Sequence, residues 1–105
     1  MKKILLNAFS LNMLAEFPAQ PLFEEVSLDE VRSELCEGFT SAVGHADTAA
    51  VFQSELGMPV NAERVTLSLK KGDKAIIGQY RGPRLPEGCS TLPTEAAIQW
   101  LRVTV

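Results

Sequence analysis

Histidine, cysteine and long apolar runs are scarce in this chain. Its two cysteines, Cys36 and Cys89, are too few for a disulfide framework, and their separation fits no zinc pattern. Both are read as reduced thiols with structural roles. A single histidine argues against a His/Cys metal centre, so neither a metal nor a cofactor is expected. No segment approaches the roughly 20 apolar residues needed to cross a bilayer. The basic start Met1-Lys2-Lys3 and the apolar Ile4-Leu5-Leu6 run into Asn7 too early for a signal peptide, and no small-residue cleavage site follows. A cytoplasmic protein without membrane partners is expected. GxGxxG, a Walker loop, CxxC and HExxH are all absent, as are repeats and low-complexity tracts. Positive charge is not in excess either: 10 Lys and Arg against 13 Asp and Glu leave a net charge of −3. Nothing global attracts nucleic acid, and DNA is not an expected partner. An anionic ligand would need a local cluster of basic residues.

What is present suits one soluble domain. A length of 105 residues allows a single modest core, and 46% hydrophobic with 22% charged residues is ordinary for a globular chain. Residues 1–105 are therefore read as one domain. Lys2 to Leu6 reads as a buried strand, followed by turn and cap formers that lead to a brief helix stopped by Pro18 and Pro21. Leu22 to Val26 is a second strand. Ser27-Leu28-Asp29-Glu30 has the form of a capping box, opening a helix with Leu28, Val31 and Leu35 at helical spacing that ends at Gly38. Phe39 to Val43 is a third strand. Val65, Leu67 and Leu69 alternate with polar residues, so Arg64–Leu69 is predicted to form a hairpin with Lys74–Tyr80 through the Lys71-Gly72-Asp73 turn. Pro93 to Ala97 suggests a helical turn, and Ile98 to Val105 a last strand, with Trp100 in the core or at a subunit interface. The fold class is α/β, a mixed sheet of about five strands with flanking helices.

Three places carry polar groups suited to a site. Asn7, Ser10 and Asn12 follow the first strand, at the end where open α/β sheets usually bind ligands; they are also good caps for backbone groups. Gly44 and His45 end the third strand, before a helix capped by Asp47 or Thr48 and stopped by Gly57 with Pro59 behind it. A helix start presents free N–H groups and the positive dipole end to a phosphate. Imidazole can exchange a proton near neutral pH, and here it is suited to taking one up when an anion binds beside it. A plain turn residue is the other reading of His45, and the residues alone leave both open. The third place is the stretch Gln79-Tyr80-Arg81-Gly82-Pro83-Arg84-Leu85-Pro86-Glu87-Gly88, where Gln79, Arg81, Arg84 and Glu87 crowd into a loop. Arginine suits planar recognition of phosphate, although a rigid surface turn would have the same composition.

Taken together, Asn7-Ala8-Phe9-Ser10-Leu11-Asn12-Met13-Leu14, Ser41-Ala42-Val43-Gly44-His45, the Lys71-Gly72-Asp73 turn and Arg84-Leu85-Pro86-Glu87-Gly88 resemble the viral type III anti-CRISPR ring nucleases. That family also has bacterial members on phages and other mobile elements. The likeness runs over nearly the whole chain, in the same order and at similar spacing. It implies a small homodimer that degrades cyclic tetra-adenylate, the second messenger with which type III CRISPR complexes switch on defence nucleases. Cleavage in that family needs no metal and gives linear di-adenylate with a cyclic 2′,3′-phosphate. By resemblance, His45 is the catalytic histidine, and Arg84 and Glu87 are the functional pair of the loop. Ser10 is a ligand contact, Arg64 a further basic position, and residues 82–94 the loop that closes over the ligand. One departure is Glu63, which stands before Arg64 where asparagine is expected and could pair with it.

The chemistry so implied suits these side chains. The ribose 2′-hydroxyl attacks its own phosphate, so the protein must hold sugar and phosphate in line. Arg84 and backbone N–H groups near His45 would stabilise the phosphorane, and His45 would protonate the departing 5′-oxygen. Glu87 could orient Arg84 or hold a ribose hydroxyl. A four-fold ring also suits a two-fold dimer, each subunit supplying an equivalent site. The alternative is a non-enzymatic sink for the messenger, or a regulatory binding protein of a mobile element.

Overall fold

The computed structural model describes residues 3–85, 88 and 90–105. Five strands form one mixed sheet: β1 (Ile4–Leu6), β2 (Leu22–Glu25), β3 (Thr40–Ala42), β4 (Lys74–Arg81) and β5 (Ala97–Thr104), in the order β2-β5-β4-β1-β3. β1 pairs in parallel with both β3 and β4, while β5 runs antiparallel to β4 and to β2. Every residue of β1 is buried, as expected of a short apolar strand with neighbours on both edges and cover on both faces. The carboxyl ends of β1, β3 and β4 consequently share one edge of the sheet. That edge carries Asn7, Gly44-His45 and Gly82.

Two helices cover one face. α1 (Leu28–Leu35) starts where the capping box predicts, with Ser27 Oγ accepting from the Glu30 N–H at 3.1 Å. α2 (Ala46–Leu56) ends on Gly57, whose φ of 70° is the left-handed cap that glycine adopts without steric cost. Val31 and Leu35 of α1 and Ala49, Phe52 and Leu56 of α2 pack on Leu5, Ile76 and Trp100 of the sheet. Trp100 thus belongs to the core, only 6% exposed. Arg102 on β5 ties α1 to the sheet: it donates to Glu34 and lies 3.7 Å from Glu30. The hydrogen bond to Glu34 raises the guanidinium pKa above its ordinary value, against a smaller opposing effect of burial.

The predicted hairpin is not formed, and the reason lies in the sheet order. Both edges of β4 are occupied, by β1 and by β5, so no position remains beside it for residues 64–69. That segment instead crosses the face opposite the helices. Leu69 forms an isolated parallel bridge with Leu14, and Leu67 and Leu69 pack on Ile4, Leu6, Ile77 and Val103. Val65, the first of the alternating residues, is left 47% exposed. The turn itself exists, closed by Asp73 N–H to the Lys70 carbonyl at 2.9 Å and by Lys70 N–H to Asp73 Oδ2 at 2.8 Å. It leads into β4 from an irregular segment rather than from a partner strand. Two smaller differences concern turns. The segment from Pro93 closes a single turn, Ala96 N–H to the Pro93 carbonyl at 3.0 Å, before β5 begins at Ala97. The stretch after β1 contains only a 3-10 turn at Leu11–Met13.

Gly78 in β4 shows how tightly the helix layer sits. A Cβ there would lie 2.5 Å from Phe52 Cζ and 2.7 Å from Trp100 Cζ3. The two rings meet over this glycine, their centroids 5.1 Å apart. Overpacking of this kind costs about 1–3 kcal/mol, so Gly78→Ala is expected to lower the denaturant midpoint accordingly. An unchanged midpoint would show that the rings yield freely.

Candidate functional site

His45 stands at the junction of β3 and α2, as the residue that caps the helix. The sequence places the cap at Asp47 or Thr48; the helix begins earlier, at Ala46, with His45 as the cap: its backbone is still extended (φ −129°, ψ 131°), and its carbonyl accepts the first helical bond, from the Ala49 N–H at 2.9 Å. Its side chain makes no capping hydrogen bond and is exposed. The imidazole is therefore free to meet a ligand, next to first-turn N–H groups that have no acceptor within the helix.

The backbone before it is held from both sides. Gly44 N–H donates to Asn7 Oδ1 at 3.4 Å, and Arg64 Nε donates to the Gly44 carbonyl at 3.1 Å. Upstream, Ser41 Oγ donates to the Asn61 carbonyl at 2.5 Å, and Glu63 N–H donates to the Val43 carbonyl at 2.8 Å. Arg64 is thus engaged with the Gly44 backbone, and among the described residues Glu63 forms no ion pair with it. Asn7 and Arg64, expected as ligand contacts, hold the strand end that carries His45 and also line a concavity beside it.

Two concavities meet at His45. One, of about 710 Å³, is lined by His45, Asp47, Thr48, Tyr80, Gly82, Arg84 and Leu85. The other, of about 370 Å³, adjoins Asn7, Gly44, Glu63 and Arg64. The larger one is the candidate site, since His45 and Arg84 both line it, at the carboxyl ends of parallel strands. Arg84 is exposed and has no ion pair among the described residues. A phosphodiester entering here would meet a helix start, a cation and a proton carrier together.

Other predicted positions lie elsewhere. Gln79 and Arg81 alternate with Tyr80 along β4, so they occupy the opposite face of the sheet from the cleft. Arg81 donates to Gln99 Oε1 at 3.1 and 2.8 Å, and Gln99 donates on to Glu25 at 3.0 Å, an exposed cross-strand ladder. Ser10 and Asn12 flank or lie within the 3-10 turn and are exposed, outside the linings of both concavities. Glu87 and Cys89 fall outside the described residues. Tyr80, Asp47 and Thr48 were not singled out from sequence as ligand contacts. The period-two alternation of β4 is the signal that sorts Tyr80 from its neighbours, and the helix start is the signal for the other two. Among the described residues, no group of three or more His, Cys, Asp or Glu side chains is placed to hold a metal ion, and no helix is long and apolar enough to cross a membrane.

Comparison with known proteins agrees with this architecture. The family described as STIV B116-like matches residues 3–100, and the chain belongs to that family. A solved structure, B116 of Sulfolobus turreted icosahedral virus, is similar over 100% of both chains, with a TM-score of 0.83 and 25% sequence identity. No curated protein matches in sequence.

Proposed function

We propose that this member of the STIV B116-like family is a ring nuclease that opens cyclic tetra-adenylate, countering type III CRISPR signalling. The observation that carries this reading is that His45, at the start of α2, lines one cleft together with Arg84. The resemblance of the Ser41–His45 and Arg84–Gly88 stretches to the ring nucleases supplies the substrate class, and the family's tie to a viral protein fits a role against host defence.

The reaction draws its nucleophile from the ligand. The ribose 2′-hydroxyl attacks the adjacent phosphorus, the bond to the 5′-oxygen breaks, and a cyclic 2′,3′-phosphate remains on one fragment. Arg84 and the N–H groups of the first turn of α2 bear the charge that gathers on the phosphorane oxygens. His45 supplies the proton to the departing 5′-oxygen. Two cuts in a four-fold ring give linear di-adenylate, and a homodimer would present one His45 to each of two opposite phosphates.

The test is incubation of the protein with labelled cyclic tetra-adenylate in EDTA, resolved for both complex and product. Linear di-adenylate with a cyclic phosphate end is the expected result. A ring that survives stoichiometric protein refutes the enzyme; a stable complex without product then assigns a messenger sink, and no complex a protein partner.

A further inference from the structure

The wall of the cleft formed by β4 contains a contact that the chemistry above does not use. Tyr80 is the chain's one tyrosine, half-buried, and its Oη donates to the Pro83 carbonyl at 2.5 Å. The hydrogen bond spans Arg81 and Gly82 and clasps the chain where it leaves the strand. Gly82 lies inside this clasp with φ +151°, and its backbone is pressed against the chain entering β5. A Cβ on Gly82 would stand 2.6 Å from Ala96 Cβ, 2.9 Å from Ala96 Cα and 3.3 Å from Tyr80 Oη. Ala96 is itself held by its N–H, which donates to the Pro93 carbonyl at 3.0 Å. The chain is therefore packed against Ala96 at Gly82 and hydrogen-bonded to Tyr80 at Pro83, and the next residue is Arg84.

We propose that Tyr80 is a positioning residue: through the Pro83 carbonyl it sets the direction in which Arg84 enters the cleft toward His45. The inference rests on the ring-nuclease reading for its consequence, though not for its geometry. Arg84 follows directly on the clasped Pro83, so the Tyr80 hydrogen bond acts on the peptide that carries it. A guanidinium on a loosened backbone still attracts the ligand. What it loses is alignment with the phosphorane oxygens, which lowers the chemical step more than affinity.

Tyr80→Phe keeps the ring that lines the cleft and removes only the donor. With cyclic tetra-adenylate, the single-turnover rate at saturating protein is expected to fall about tenfold, the scale of one hydrogen bond, with the Kd within about twofold of wild type. Equal rates, or a loss confined to Kd, would overturn the proposal, the second outcome meaning that the hydroxyl touches the ligand itself. Backbone amide relaxation without substrate keeps the inference testable should the wild-type protein leave the ring intact. The Arg84 N–H order parameter is expected to drop from the rigid range near ~0.85 toward ~0.6 in Tyr80→Phe while α2 is unchanged. An unaltered value at Arg84 would overturn the proposal whatever the fate of the nuclease reading.

Discussion

Replacing His45 by alanine is expected to slow single-turnover cleavage of cyclic tetra-adenylate by about 10²–10⁴-fold, the usual contribution of a positioned general acid, with binding nearly retained. The separation of the two effects follows from where the residue sits. The imidazole is exposed and makes no capping hydrogen bond, so its removal leaves α2 and its N–H groups in place. A surface change of this kind stays within about 0.5 kcal/mol of wild-type stability. Arg84 and the helix start remain to hold the phosphate. On the proposed mechanism, what is lost is the proton for the 5′-oxygen. A substrate with sulfur in place of that bridging oxygen isolates the role, because a thiolate leaves without being protonated. His45→Ala should then cleave the sulfur-bridged ring at close to the wild-type rate. Unchanged cleavage of the oxygen ring would remove His45 from the mechanism, and an equal deficit on the sulfur ring would move its role to charge stabilisation.

How far this arrangement was legible in the sequence depended on whether the deciding interaction was local. The capping box at Ser27 and the left-handed Gly57 each act within a turn, and these two ends are legible in the sequence; the end expected at Gly38 and the cap expected at Asp47 or Thr48 lie two to three residues from those observed. Apolar runs between turn formers located β1, β2, β3, β4 and β5. Residues 64–69 failed for the opposite reason. Their alternation is real, but whether a strand may pair with β4 depends on which edges β1 and β5 have taken, and that is a property of the whole sheet.

The same distinction applies to the site. His45 and Arg84 each follow a strand of the parallel set, which brings them to one edge; in the sequence only the resemblance to the ring nucleases puts them in one site, because residues 74–80 read there as half of a hairpin. Gln79 and Arg81 were grouped with them by nearness in sequence, whereas the alternation of β4 sends them to the other face. Asn7 and Arg64 are near His45, yet their bonds go to the Gly44 peptide, which no side-chain pattern reveals. Tyr80 is not legible in the sequence because its hydroxyl acts on a loop carbonyl, a contact that no side-chain pattern encodes.

The largest stability loss is expected from Phe52→Ala, at about 3–5 kcal/mol. Phe52 is fully buried in α2, against Trp100 and over Gly78, so its removal leaves a void where helix, β4 and β5 meet. Domains of this size have about 5–15 kcal/mol of stability, and the loss would consume a large share of it. The thermal midpoint should fall by more than about 10 °C. Because α2 carries His45 at its start, the same void loosens the seat of the imidazole, and cleavage should decline at temperatures where the fold still survives. The double variant distinguishes a packing effect from a general one. Gly78→Ala overcrowds the wild-type protein mainly through Phe52 Cζ at 2.5 Å, whereas Trp100 Cζ3 at 2.7 Å remains in either background. The cost of Gly78→Ala should therefore shrink, without vanishing, once Phe52 is alanine. A double-mutant cycle from denaturant unfolding reads this as a coupling of about 0.5–3 kcal/mol. Strict additivity would mean that the ring does not rest on the glycine, and with it the account of how α2 is seated would fall.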